Sequence, residues 1–204
     1  MRKNLINFFL LFTIFFMGEC TYAGTDIKSK EIICIRNTCF LPSIKISGEE
    51  VPIIGAGHVG FLAMDVYTAA FYAEKDGGED ILNVDDADVK KALYIHYHTG
   101  IAKENIIKAA NKNIKKRFPK AGADLLEKLE KFHMSMKDVK QGDRYYMEYI
   151  PGRGTSLYFN DEIACNIEGH DFQKAYFGIW ISDKPISKKL RNELLGKDQK
   201  NYLS

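Results

Sequence analysis

The sequence predicts a single α+β domain, and two observations carry that prediction. Strand-type and helix-type segments come in separate blocks: short strands, two amphipathic helices, a three-strand meander and two further helices. Blocks of this kind favour α+β architecture over an alternating βαβ fold. The length also suits one core, because roughly 180 residues remain once an N-terminal export segment is set aside, enough to bury a core and too few for two ordinary domains. A hydrophobic content of 46% with 12% aromatic residues is that of a globular protein.

Residues 1–23 are expected to be a secretory signal peptide. Arg2 and Lys3 precede a predominantly apolar run from Leu5 to Met17, and Gly18, Ala23 and Gly24 supply small residues for cleavage. The run spans about 13 residues, fewer than the roughly 20 that a membrane-spanning helix needs. Thr21-Tyr22-Ala23 favours a cut after Ala23, whereas Glu19 directly before Cys20 makes a poor lipidation signal. The expected mature chain, residues 24–204, is periplasmic or secreted, with no stable membrane insertion. Losing Arg2, Lys3 and Glu19 leaves a net charge close to zero, so no electrostatic partner is implied. Cleavage also leaves three cysteines, Cys34, Cys39 and Cys165. In an oxidising compartment Cys34 and Cys39, flanking a four-residue hairpin loop, are expected to form a disulfide. Cys165, alternating with Ile163 and Ile167 on one strand face, is expected to be an unpaired, buried small hydrophobe.

From Glu31 to Ile54 the chain has the pattern of short strands broken at Asn37, Pro42, Ser47-Gly48 and Pro52. Phe61 to Ala73 is apolar on both faces at period two, as in a central, covered strand. Lys75 to Asp88 holds two glycines and several acidic residues and is expected to be a solvated loop; its Asp85-Asp86-Ala87-Asp88 lacks the spacing of a calcium loop. Ala92 to His98 alternates again. Ala102, Ile106, Ala110, Ile114 and Phe118 recur every four residues and predict an amphipathic helix ending before Pro119, and a second helix follows from Ala123 to Met134. A hairpin is expected from Arg144 to Ile150 and Thr155 to Phe159 around Pro151-Gly152-Arg153-Gly154, with a return over Glu162 to Ile167. Asp171 and Ser187 are expected to cap two last helices, the second stopping at Gly196.

Gly55-Ala56-Gly57-His58-Val59-Gly60 matches the dinucleotide-binding fingerprint. Pro52 in the preceding strand, the strand-type residues after it and the lack of further βα units count against a cofactor there. No cofactor is expected. His96 and His98 share a strand face without a placed third ligand, so a polar face is expected rather than a metal site. The lysines of the first helix form one solvated face, and no nucleic-acid partner is expected. No nucleophile elbow is present, and Cys165 has no positioned base.

Three segments together resemble the chalcone isomerase family in its bacterial exported branch. They are Gly55 to Gly60 leading into Val66-Tyr67-Thr68-Ala69-Ala70-Phe71-Tyr72; Tyr149-Ile150-Pro151-Gly152-Arg153-Gly154-Thr155; and Ile167-Glu168-Gly169-His170-Asp171-Phe172 followed by Ala175, Phe177, Ile179-Trp180, Pro185, Leu190 and Leu194-Leu195-Gly196. The resemblance runs from about Ile53 to Gly196. It implies an open-faced sandwich, a large antiparallel sheet covered on one side by helices, with a small edge sheet. Family enzymes close a chalcone ring by attack of a phenolate on an enone, helped by orientation and by stabilising the developing negative charge. The residues associated with that work are an arginine after the glycines, a threonine on the next strand, and a tyrosine and an asparagine around the following helix. The matching positions here hold Val59, Tyr67, Ala102 and Ala109. Superfamily members that resemble fatty-acid binders pair the arginine with a tyrosine at the Tyr67 position to hold a carboxylate. This chain keeps the tyrosine and lacks the arginine. The resemblance therefore implies a non-catalytic domain binding a small apolar or amphipathic ligand such as a fatty acid, with Tyr67 and His58 as candidate binding residues. An isomerase with an unknown substrate and a ligand-free structural or partner-binding envelope protein are the alternatives; no protein partner is assigned.

Overall fold

A computed structural model describes residues 32–62, 64–74 and 86–197. The expected signal peptide, with its cut after Ala23 and Cys20, lies outside the described residues, as does most of the acidic loop expected from Lys75. A short hairpin, β1 (Ile33–Ile35) and β2 (Thr38–Phe40), precedes the main sheet. Seven antiparallel strands then follow in chain order: β3 (Ser43–Ile46), β4 (Glu49–Phe61), β5 (Met64–Ala73), β6 (Lys91–Tyr97), β7 (Arg144–Ile150), β8 (Gly154–Phe159) and β9 (Glu162–Ile167). Helices α1 (Lys103–Arg117) and α2 (Ala123–Met134) are inserted between β6 and β7, and α3 (His170–Ile181) and α4 (Lys188–Leu194) follow β9. This is the expected α+β open-faced sandwich. Among the described residues no helix is long and apolar enough to cross a membrane.

Strand alternation sorts the sheet into two faces. Ala69, Phe71, Leu93, Ile95, Met147 and Leu157 face the helices and pack against Phe132, Phe172, Phe177 and Leu190 in the larger core. Val51, Ile53, Ala56, Ala70, Tyr72 and Ala92 face the other way, where Ile35 and Phe40 of the hairpin cover them. The hairpin is closed by the Cys34–Cys39 disulfide between paired residues. Its turn is tighter than expected: Ile35 pairs with Thr38, leaving Arg36 and Asn37 as the turn, with Arg36 at φ +54°. So small a loop contributes about 2 kcal/mol in the chain-entropy model. Reduction should lower stability by that amount without unfolding the domain; urea titration with and without reductant checks this.

The structure corrects the reading of several segments. Phe61 to Ala73 is not one strand: Phe61 ends β4, Leu62 turns at φ +54°, and β5 begins at Met64. Pro52 lies inside β4, where the strand pairs with β3 through Ser43 and its ladder with β5 begins only at Ile53. Asp171 does not cap α3. Gly169 occupies that position at φ +106°, and Asp171 instead takes the Lys128 ammonium at 2.9 Å. Ala102, expected on the apolar face of α1, is its exposed N-cap. Ser187 does cap α4, its Oγ accepting from the Leu190 N–H at 3.2 Å. A register shift after Leu157 breaks the alternation of β9, so Cys165 packs against the core while Ile163 is exposed.

The glycines of the dinucleotide-like motif have a packing role. A Cβ on Gly55 would meet the backbone of Glu193, Leu194 and Gly196, and one on Gly57 would meet Glu193 and Leu190. Helix α4 therefore rests directly on the backbone of β4, with the Glu193 carboxylate accepting from the His58 N–H at 3.3 Å. Only glycine leaves room for so close an approach.

Candidate functional site

The sheet and helices enclose an apolar cavity of about 170 Å³. Its floor includes Tyr67 of β5, Ile95 and Tyr97 of β6 and Met147 of β7. Its roof includes Ala109 and Ala110 of α1, Phe132 of α2 and Trp180 of α3. The two alanines of α1 are what leave room, since larger side chains at these positions would reach down to the sheet. Asn105 and Ile186, both exposed, line the same cavity and mark its solvent side.

Polar groups in this wall are few and are all neutral at physiological pH. The Trp180 indole N–H donates to the Tyr67 hydroxyl at 3.2 Å. That leaves the Tyr67 proton without an acceptor among the described residues. Burial, only partly opposed by the Trp180 bond, pushes the Tyr67 phenol up to about 12, so it stays protonated and able to donate. Tyr97 pairs with Tyr67 across the strands, and burial among other phenols raises its hydroxyl well above the usual range too. The Tyr145 hydroxyl is satisfied by the backbone of Lys137, accepting from its N–H at 2.7 Å and donating to its carbonyl at 2.9 Å. Tyr176 donates to the Met136 sulfur at 3.6 Å. Among the described residues no Arg, Lys or His lines the cavity.

The two candidate binding residues are separated. Val59 pairs with Tyr67, and both pack on the helix side of the sheet. His58, one residue earlier, points to the other face, where its ring stands 3.5 Å from the Arg36 guanidinium. The sheet therefore lies between His58 and the cavity, and His58 supplies no donor there. His96 shares the hairpin-side face and meets Thr38 at 2.8 Å. Among the described residues no cluster of three or more His, Cys, Asp or Glu is placed to hold a metal. Cys165 is unpaired, accepts from the Ser135 hydroxyl at 3.1 Å and has its thiol pushed up by burial, which is the opposite of an activated nucleophile.

The domain is an open-faced α+β sandwich with an apolar cavity between sheet and helices, and small-molecule sites in proteins are usually concave and mostly apolar. The chalcone isomerase-like family model matches residues 35–196, and the chain belongs to that family. Its fold is similar to the crystal structure of a fatty-acid binding protein from Arabidopsis thaliana, with a TM-score of 0.65 and 17% identity over 82% of this chain and 97% of that one. No curated protein sequence matches the chain. Of the positions aligned above with the family's catalytic groups, Tyr67 and Ala109 line the cavity, Val59 packs beside Tyr67, and Ala102 stands exposed at the start of α1. Tyr97, Asn105 and Trp180 belong to the same cavity without having been singled out as site residues. For Tyr97 a signal existed, since it alternates with Leu93 and Ile95 on one strand face; that this strand pairs with that of Tyr67 is a finding of the structure.

Proposed function

We propose that the mature chain is an exported, non-catalytic member of this family that holds a small apolar or amphipathic ligand beneath its helices. The observation that carries this is a cavity walled by apolar side chains in which the Tyr67 hydroxyl accepts from Trp180 and donates to none of the described residues. Apolar walls favour the ligand body by about 0.8 kcal/mol per buried methylene, and a phenol supplies one hydrogen bond to an oxygen of the ligand. With no cationic side chain among the described lining residues, the cavity offers nothing comparable for a phenolate in ring closure, where a well-placed oxyanion donor contributes about 100-fold to 1000-fold in rate. The volume also limits the ligand. An apolar cavity of roughly 150 Å³ takes up a benzene-sized molecule, so a ring or short chain fits whole and a fatty-acid tail extends past Asn105 and Ile186.

Two measurements test this reading. Protein recovered from the cell envelope is expected to begin at Gly24 and to release a bound apolar molecule when denatured and examined by mass spectrometry. Binding of a fluorescent fatty acid is then compared with chalcone cyclisation in wild type, Tyr67→Phe and Val59→Arg. Loss of one neutral hydrogen bond in Tyr67→Phe should weaken binding about fivefold to tenfold. Val59→Arg places a guanidinium beside Tyr67 and should strengthen binding of the carboxylate. Chalcone turnover by the wild type would overturn the non-catalytic reading, and binding indifferent to both substitutions would remove the cavity from the function.

A further inference from the structure

The β4–β5 hairpin ends in apolar side chains that the core does not use. Leu62 is 91% exposed, Phe61 65% and Met64 59%. Leu62 also sits at φ +54°, in the left-handed region that suits glycine or asparagine and disfavours a bulky apolar residue. It carries that strain without packing to offset it. Polar turn residues would serve the fold better, so folding alone gives no reason for these three side chains.

The tip belongs to the cavity end of the sheet. Successive pairs Phe61↔Met64, Gly60↔Asp65 and Val59↔Tyr67 lead from the tip to the cavity wall, a distance of about 10 Å at the usual rise per strand residue. The register shift between Val59 and Gly60 leaves Val66 without a partner in β4. Such a bulge bends and twists the last turn of a hairpin relative to the rest of the sheet.

We infer that this tip is a peripheral membrane contact, with Phe61, Leu62 and Met64 entering the interfacial layer of a lipid bilayer. Area decides between partners. Three side chains at the end of a narrow hairpin offer a few hundred Å², well short of the roughly 800 Å² per partner of a stable protein interface. A bilayer sets no such minimum, because each apolar side chain partitions by itself. Flanking charge is close to balanced: Arg36 pairs with Asp65 at 3.4 Å and Lys189 with Glu193 at 3.6 Å. The apolar tip, not a basic patch, therefore carries the contact, and its salt dependence is weak. The consequence for the ligand rests on the proposed function: an apolar ligand is stored in lipid, and a cavity held at the bilayer surface exchanges it without a long passage through water.

The test is cosedimentation of the chain from Gly24, which retains every described element, with vesicles of phosphatidylethanolamine and phosphatidylglycerol. Wild type is expected to bind, and raising the salt to about 1 M should change binding by no more than about twofold. Leu62→Asp is expected to bind about tenfold more weakly or less, while Ile163→Asp, at an exposed site on β9, binds as wild type does. Leu62→Asn suits the backbone and should show a similar loss with a melting temperature unchanged or raised, which separates the contact from folding. Wild type that stays in the supernatant, or Leu62→Asp that sediments as wild type does, overturns the inference. So does a self-association, seen by analytical ultracentrifugation, that Leu62→Asp abolishes while vesicle binding persists. Fluorescent-ligand uptake without vesicles reports on the cavity alone, so failure of the ligand reading is distinguishable from failure of this one.

Discussion

Gly55→Ala is expected to destabilise the domain by about 3 kcal/mol or more, lowering the melting temperature by roughly 10 °C. The added methyl group meets the Glu193 carbonyl oxygen, the Gly196 nitrogen at 2.8 Å and the Leu194 oxygen at 2.9 Å. All three are backbone atoms at the end of α4, so no rotamer change relieves the clash and the helix must lift from β4. The entropy gained by restricting the unfolded chain, about 0.4 to 1 kcal/mol for Gly to Ala, is too small to offset it. Gly57→Ala is the internal comparison. Its added methyl meets side-chain atoms of Glu193 and Leu190, which can give way in part, so a smaller loss is expected. Equilibrium urea unfolding of both variants decides the matter: a Gly55→Ala protein as stable as wild type, or a larger loss in Gly57→Ala, would show that the close approach of α4 is not what these glycines serve.

That glycine pair illustrates what the sequence makes legible and what it does not. Spacing alone could not separate a phosphate-binding turn from a strand on which a helix rests, because both need glycine for close approach. Context separates them: Pro52 and the following strand-type residues disfavour the turn, yet the helix resting on the strand is about 140 residues further along the chain. Elements whose signal is local were legible with almost correct ends, as with α2 over Ala123–Met134 and the meander from Arg144 to Ile167. The β4–β5 turn was hidden because Phe61, Leu62 and Met64 are apolar where turns are normally polar. The bulges after Val59 and Leu157 were hidden because a one-residue shift in register depends on the partner strand. His58 shows the same limit at the site. Adjacent strand residues face opposite sides, so once Val59 pairs with Tyr67, His58 must face away from the cavity; before that pairing is known, the two are merely neighbours of a glycine. Trp180 reaches Tyr67 from 113 residues away, and nothing local foretells that bond.

Stability is expected to fall as the solution is acidified from pH 7 to pH 4, with His133 a principal cause. This residue of α2 lies against the rings of Phe132 and Tyr176, at 6.4 and 5.9 Å between centroids, and its Nε2 is buried without a hydrogen-bond partner among the described residues. Burial pushes its imidazole down to about 4 from the ordinary 6.5. Below pH 6.5 the unfolded chain takes up a proton that the folded chain refuses until about pH 4. The contribution is therefore complete above pH 6.5 and is lost as pH falls through the window down to the folded value. Linkage gives a loss of about 2 kcal/mol by pH 5 and about 3 kcal/mol by pH 4. Burial also lowers His58 and His96, which adds in the same direction. Asp86 and Asp143, held low by hydrogen bonds to Lys174 and Asn160, lose their contributions at still lower pH. These other groups titrate alike in wild type and in His133→Leu, so the difference between the two proteins isolates His133. Urea unfolding at intervals from pH 7.5 to pH 4 should show His133→Leu gaining about 3 kcal/mol relative to wild type across that range. Parallel stability curves for the two proteins would mean that His133 is protonated within the fold and that its Nε2 finds an acceptor in solution.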